Sequence, residues 1–151
     1  MNKYQEAKIY ILRSTQTQDV YIGSTTSSLN KRLTEHKADL TSFTNKKKNY
    51  RTSFEIVKFD DVTIEILELF PCNNKQELEV REGFHIRNDL NSVNICIAGR
   101  TRKDYYNDNK TEINEKKRNY YKLNHSRLIA RKRELYHQKK LTKYINEAIN
   151  S

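Results

Sequence analysis

The run KIYILRSTQTQDVYIGS at residues 8–24 decides the architecture. Its first part, Lys8-Ile9-Tyr10-Ile11-Leu12-Arg13, is rich in β-branched and aromatic residues, which fit a pleated, packed surface and read as a strand. Residues 14–19 are polar and read as a turn. Val20-Tyr21-Ile22-Gly23-Ser24 resumes strand character after only six residues, and so short a connection joins antiparallel neighbours. A hairpin is expected, with Tyr10 and Tyr21 on adjacent strands.

Working outward from the hairpin, Ser27 or Ser28 is placed to cap a helix over about residues 29–40, in which Leu29, Leu33 and Leu40 fall at helical spacing. Residues 41–53 hold Lys46, Lys47 and Lys48 with few apolar anchors and read as an exposed basic loop. Residues 54–59 fit a short strand or a helical turn equally well. Residues 62–70 alternate well enough for a third strand, closed by Pro71. Asn73 and Asn74 stand three positions before Gln76 and Glu77, a capping-box-like start for a helix over roughly 74–90 with Leu78, Phe84, Ile86 and Leu90 as its apolar side. Residues 93–97 return to extended character, and Gly99 marks a boundary. The order β-β-α-loop-β-α predicts an α+β domain.

Charge divides the chain in two. Residues 1–99 hold 14 Lys+Arg against 13 Asp+Glu, and residues 100–151 hold 15 against 6, so nine of the ten net positive charges lie in the last third. A first domain over 1–98 and a basic tail over 99–151 are expected. The tail repeats with a period of 15: DYYNDNKTEINEKKR at 104–118 aligns with NYYKLNHSRLIARKR at 119–133. In one straight helix each copy would turn by about 60°, so its tyrosine and lysine stripes would spiral and a fixed coiled-coil seam is not expected. The other reading of the tail is a set of short helices broken near Asn109 and Asn124.

A pI of 9.6 with its excess in one segment suits a polyanion, because neutralised phosphates release condensed counterions. The tail's apolar residues are too sparse for a membrane-surface helix, and no ~18-residue apolar run occurs. Cys72 and Cys96 are too few for a disulfide scaffold or a thiolate zinc site, which points to a reducing compartment. The opening residues lack an apolar signal core. A soluble protein of the cytoplasm or nucleus is expected, not an exported one.

Two helices carry residues ill-suited to a purely structural role. Glu82 lies four residues after Leu78 and four before Ile86, inside the apolar stripe, and a lone carboxylate there is normally paired, protonated or bound to metal. Arg32 and His36 are i and i+4 beside Leu29 and Leu33. A buried Arg32–Glu82 ion pair with a hydrogen-bonded His36 would account for the same pattern.

Taken in order, Lys8-Ile9-Tyr10, Tyr21-Ile22-Gly23, Arg32 and His36 on the next helix, Glu82 on a later one and Asn94 twelve residues on resemble the GIY-YIG nucleases. The resemblance covers residues 8–98. It implies a small three-stranded antiparallel sheet flanked by helices, and hydrolysis of phosphodiesters with one divalent cation, Mg²⁺ or Mn²⁺. Glu82 matches the family's metal-binding glutamate, Arg32 its catalytic arginine, Tyr10 and Tyr21 its paired tyrosines, and His36 and Asn94 its histidine and asparagine. Lys8 stands where the name-giving motif has glycine.

These residue types suit the chemistry. A hard dication is held by one or two carboxylates and completed by water and phosphate oxygens. Arg32 offers a charged planar fork to the phosphate. Tyr10 or Tyr21 would activate water, with His36 as a proton relay, and strand packing is the plain alternative for either tyrosine. Gly23 would allow close backbone approach beside Ser24. Lys46, Lys47, Lys48 and the tail's Lys117, Arg118, Lys132 and Arg133 would hold the substrate, expected to be double-stranded DNA, with the chain a monomer or weak dimer. A non-catalytic nucleic-acid-binding module on the same fold, or a tail that serves oligomerisation, are the alternatives.

Overall fold

The computed structural model describes residues 2–149. Three strands, β1 (Lys8–Arg13), β2 (Tyr21–Thr25) and β3 (Thr63–Leu69), form one antiparallel sheet in the order β2-β1-β3. β1 is central and covered on both faces, which explains its unbroken apolar run from Ile9 to Leu12. Ile9 and Ile11 join Ile22, Leu78 and Ile86 in one core; Tyr10 and Leu12 join Ile56, Val57 and Val62 in the other.

The first core lies under α3 (Lys75–Asn88), and the second under α1 (Leu29–Thr44) and the single-turn α2 (Phe54–Val57). α2 resolves the ambiguous stretch as a single helical turn over Phe54–Val57, followed by a turn at Lys58 and a bend at Phe59. The hairpin turn is tied to the approach to β3, because Asp61 accepts from Ser14 Oγ at 2.6 Å, the Thr15 amide at 2.8 Å and Gln16 Nε2 at 3.1 Å. The β1–β3 register shifts between Ile9 and Tyr10, so Leu67 has no partner across the pair.

Ser28, not Ser27, caps α1, accepting from the Lys31 amide. The helix runs four residues past its expected end. Thr41, Ser42 and Thr44 hydroxyls each bond a carbonyl one turn back, which keeps these polar residues in the helix. Its end is a Schellman motif: the Lys46 amide donates to Phe43 O and the Lys47 amide to Ser42 O, both at 2.8 Å, with Lys46 at φ 57°.

α3 starts with Asn74 accepting from the Glu77 amide while Glu77 accepts from the Asn73 amide, the expected reciprocal cap. Its apolar side differs from expectation. Leu78 and Ile86 are buried, whereas Phe84 is half-exposed and Leu90, past the helix end, is fully exposed. The cause is Gly83, which turns a surface without a side chain toward residues 97–98; a Cβ there would sit 2.1 Å from the Ala98 carbonyl oxygen. Phe84 is displaced sideways, where Arg81 stacks on its ring at 4.6 Å.

The residues 93–97 form no strand; pairing on the outer side of β2 is the single Val20–Ser92 bridge. Contacts divide the chain into two units, Met1–Thr101 and Arg102–Ser151. The second holds α4 (Arg102–Asp108) and α5 (Lys110–Ile149), with no buried residue in either. The tail therefore breaks at Asn109 and runs unbroken through Asn124, whose side chain donates to Tyr120 O inside the helix. Among the described residues no helix is long and apolar enough to cross a membrane.

Candidate active site

The antiparallel register puts Tyr10 opposite Gly23, with both residues on the α1 face of the sheet. That pairing has a steric reason. A Cβ on Gly23 would lie 2.5 Å from the Tyr10 hydroxyl, so only glycine lets the phenol lie across β2. Tyr10 has no exposed surface. Its hydroxyl accepts from Arg32 Nε at 3.0 Å and lies 2.7 Å from His36 Nε2.

The Tyr10 hydroxyl and His36 Nε2 share one hydrogen bond whose direction follows the ring's tautomer, since Arg32 occupies only one of the oxygen's two acceptor sites. Nδ1 is buried with no hydrogen-bond partner among the described residues. Burial, then the Arg32 charge, pushes His36 down to about 4, so it is neutral at physiological pH. Tyr21 is half-buried, its ring 5.5 Å from His36 and 6.5 Å from Tyr10.

The next β2 residue, Ser24, belongs to the opposite face, and its Oγ donates to Glu82 Oε2 at 2.5 Å. Glu82 is half-buried on α3. Burial raises its pKa and the nearby Glu79 adds to that, with Ser24 and Arg32 acting against it. The expected alternative, an Arg32–Glu82 ion pair, does not form. Arg32 pairs with Glu35 one turn along α1, at 3.0 Å. Arg32 and Glu82 instead line one cleft of about 390 Å³, together with Ser24, Thr25, Lys75 and Glu79.

The two tyrosines feel this charge. Burial raises the Tyr10 pKa and Tyr21 adds to it, while Arg32 opposes; burial and then Glu82 raise Tyr21, while Arg32 and Arg51 pull it down. Arg32 stays protonated: burial alone would lower its pKa, and Tyr10 and Glu35 more than offset that.

Asn94 is committed to the backbone. Its carboxamide accepts from the Ile22 amide at 3.0 Å and donates to the Ile22 carbonyl at 2.9 Å, pinning β2 between Tyr21 and Gly23. Lys8 holds the start of α1 in place by donating to the Ser27 carbonyl at 3.2 Å. Lys46 and Lys47 are exposed, but the Lys48 ammonium pairs with Asp39. Lys117, Arg118, Lys132 and Arg133 are exposed on α5.

Sequence reading missed Asp39 and Arg51. Asp39 is buried on α1 and pairs with Arg51 at 2.8 Å as well as with Lys48. The signal was present for Asp39, since 32, 36 and 39 follow helical spacing on one stripe. Nothing of the kind marked Arg51, which comes from a loop.

A sequence model of the GIY-YIG catalytic domain matches residues 6–89, from the start of β1 to the end of α3. No curated protein and no solved structure matches the chain. The matched span contains both tyrosines, Gly23, Arg32, His36 and Glu82 on a three-stranded antiparallel sheet with flanking helices. The chain belongs to the GIY-YIG family, whose catalytic domain is that of a nuclease.

Proposed function

We propose that residues 1–98 cleave double-stranded DNA by metal-assisted hydrolysis and that residues 99–151 hold the substrate. The observation that carries this reading is Glu82: a half-buried carboxylate whose bonded partner is a neutral hydroxyl, sharing a cleft with a guanidinium. Burial penalises its charge, and a bound cation would relieve that penalty.

The donor set fits one divalent cation, Mg²⁺ or Mn²⁺. Among the described residues there is no group of three or more His, Cys, Asp or Glu side chains for an all-protein cage. A site with one carboxylate, completed by water and phosphate oxygens, is the usual habit of a hard, strongly hydrated ion. When bound there, the cation would offset negative charge on the scissile phosphate and the leaving oxygen.

The chain's own groups supply the rest. Arg32 is fixed at Nε by Tyr10 and at Nη1 by Glu35, and its remaining donors serve the phosphate oxygens. Tyr21, as its phenolate, would take the proton of the attacking water, because it is the half-buried tyrosine of the pair and because Arg32, Arg51 and a cation offsetting the Glu82 charge all favour that form. Tyr10, sealed from solvent with its hydroxyl engaged by Arg32 and His36, is a positioning residue. Asn94 positions β2 in the same sense, and Gly23 gives Tyr10 its room. Ser24 orients the Glu82 carboxylate. On the tail, Lys117, Arg118, Lys132 and Arg133 contact phosphates while tyrosines stack or enter a groove.

The test is direct. Purified full chain with Mg²⁺ nicks or cuts supercoiled plasmid, EDTA abolishes this, and Glu82→Ala is inactive. Cleavage that persists in Glu82→Ala refutes the metal assignment. Plasmid bound but never cut by the wild type would mark a binding module instead.

A further inference from the structure

We propose that Arg51 is a second guanidinium of the catalytic face, contacting a backbone phosphate of the bound nucleic acid beside the scissile one, and that Asp39 positions it. The inference rests on the nuclease reading above.

Asp39 stands one turn beyond His36 on α1, and its side chain is only 12% exposed. Two cations from residues 45–53 converge on it, Lys48 and Arg51, the latter through Nη1 at 2.8 Å. A buried carboxylate drawing in two loop cations fixes where that loop lies. Arg51 is thereby held on the carboxylate one turn beyond His36, where its charge lowers the pKa of both Tyr21 and His36.

Half of the Arg51 side chain, 52%, faces solvent. The guanidinium has five N–H donors, so anchoring one nitrogen leaves others for an incoming phosphate.

The loop is held by two further devices. Lys46 takes the left-handed conformation that closes α1, and the Tyr50 ring sits 5.9 Å from Phe43 and 6.0 Å from Phe54, with its hydroxyl donating to Glu55 at 2.7 Å. Residues 46–51 surround a hollow of about 440 Å³ whose lining has four cations and no carboxylate. A merely solvated basic loop gains nothing from being clamped at both ends, whereas a preorganised one spares the ordering cost on binding.

The experiment measures full-chain cleavage of a short duplex in Mg²⁺, and duplex binding by anisotropy across a salt series. Arg51→Gln is expected to lower kcat/KM by about tenfold or more, the scale of losing a charge-assisted hydrogen bond. It should also reduce the slope of log K against log salt by about 0.9 in a chain that still folds, because Lys48 remains paired with Asp39. Arg51→Lys should recover only part of the rate, because a point charge replaces a fork.

Asp39→Asn separates positioning from bulk charge. It removes a negative charge, so charge alone predicts tighter binding and faster cleavage; positioning predicts a rate loss close to that of Arg51→Gln, and a double variant no worse than either single one. Should Asp39→Asn fail to fold, Arg51→Gln at its half-exposed site decides. Wild-type-like kcat/KM and salt slope in Arg51→Gln overturn the inference, as does faster cleavage by folded Asp39→Asn. A wild type that does not cut defeats the nuclease reading instead, and the salt slope still reads the Arg51 contact.

Discussion

Burial opposes negative charge at three neighbouring groups, Tyr10, Tyr21 and Glu82, and the Glu82 charge makes ionisation of both phenols harder. All three groups therefore favour their protonated forms when no cation is bound. The Glu82 pKa is raised by folding, so its contribution to stability is present at low pH and lost as pH rises through the folded value. Glu82→Gln should accordingly abolish cleavage yet raise the melting temperature of the metal-free protein by about 2 °C, discounting for partial exposure; a lower melting temperature would contradict the burial argument. His36 behaves in the opposite sense. Its pKa is pushed down to about 4 from 6.5, so the unfolded chain binds the extra proton and stability falls as pH drops between those values. Urea midpoints at pH 7, 6, 5 and 4 should decline, and His36→Gln should flatten that decline above pH 4, where the carboxylates begin to protonate.

Among the elements, the β1–β2 hairpin is what brings Tyr10 against Gly23, because the two are direct register partners. Gly23→Ala drives a methyl into the Tyr10 phenol and releases Arg32 from its hydroxyl. The expected cost is about 1–3 kcal/mol of stability and about 100-fold in kcat, as for loss of one fixed donor to the transition state. Denaturant melts and single-turnover rates check both, and a rate loss under threefold would show that the phenol does not position Arg32. The hairpin and both site helices were legible in the sequence because strand runs, caps and helical spacing are local signals. The Asn74–Glu77 cap is an example. What escaped has non-local or atypical causes. α1 ends on a left-handed Lys46 where glycine is the usual marker, and Phe84 leaves the core because Gly83 abuts Ala98, fifteen positions away. Asn109 and Asn124 make the same side-chain bond to a carbonyl four residues back, yet only the first lies at a break, so residue type alone does not set it. Arg51 is held against α1 through a tertiary ion pair with Asp39 that no periodicity encodes.

At the scale of the whole molecule, the sheet unit carries nearly balanced charge and the tail carries the excess. If the tail holds phosphates, removing residues 102–151 should leave the chemical step intact while KM for duplex rises by about 10- to 1000-fold at moderate salt, with a shallower salt dependence. A truncated chain with unchanged KM would assign the tail another task, and light scattering of the full chain would show whether that task is self-association. The nuclease reading depends on cation binding by Glu82 in the cleft it shares with Arg32. Electron paramagnetic resonance of Mn²⁺ titrated into the full chain tests it most directly. One bound ion is expected in the wild type and none at that site in folded Glu82→Gln; equal Mn²⁺ binding by the two proteins would leave Glu82 without a metal role.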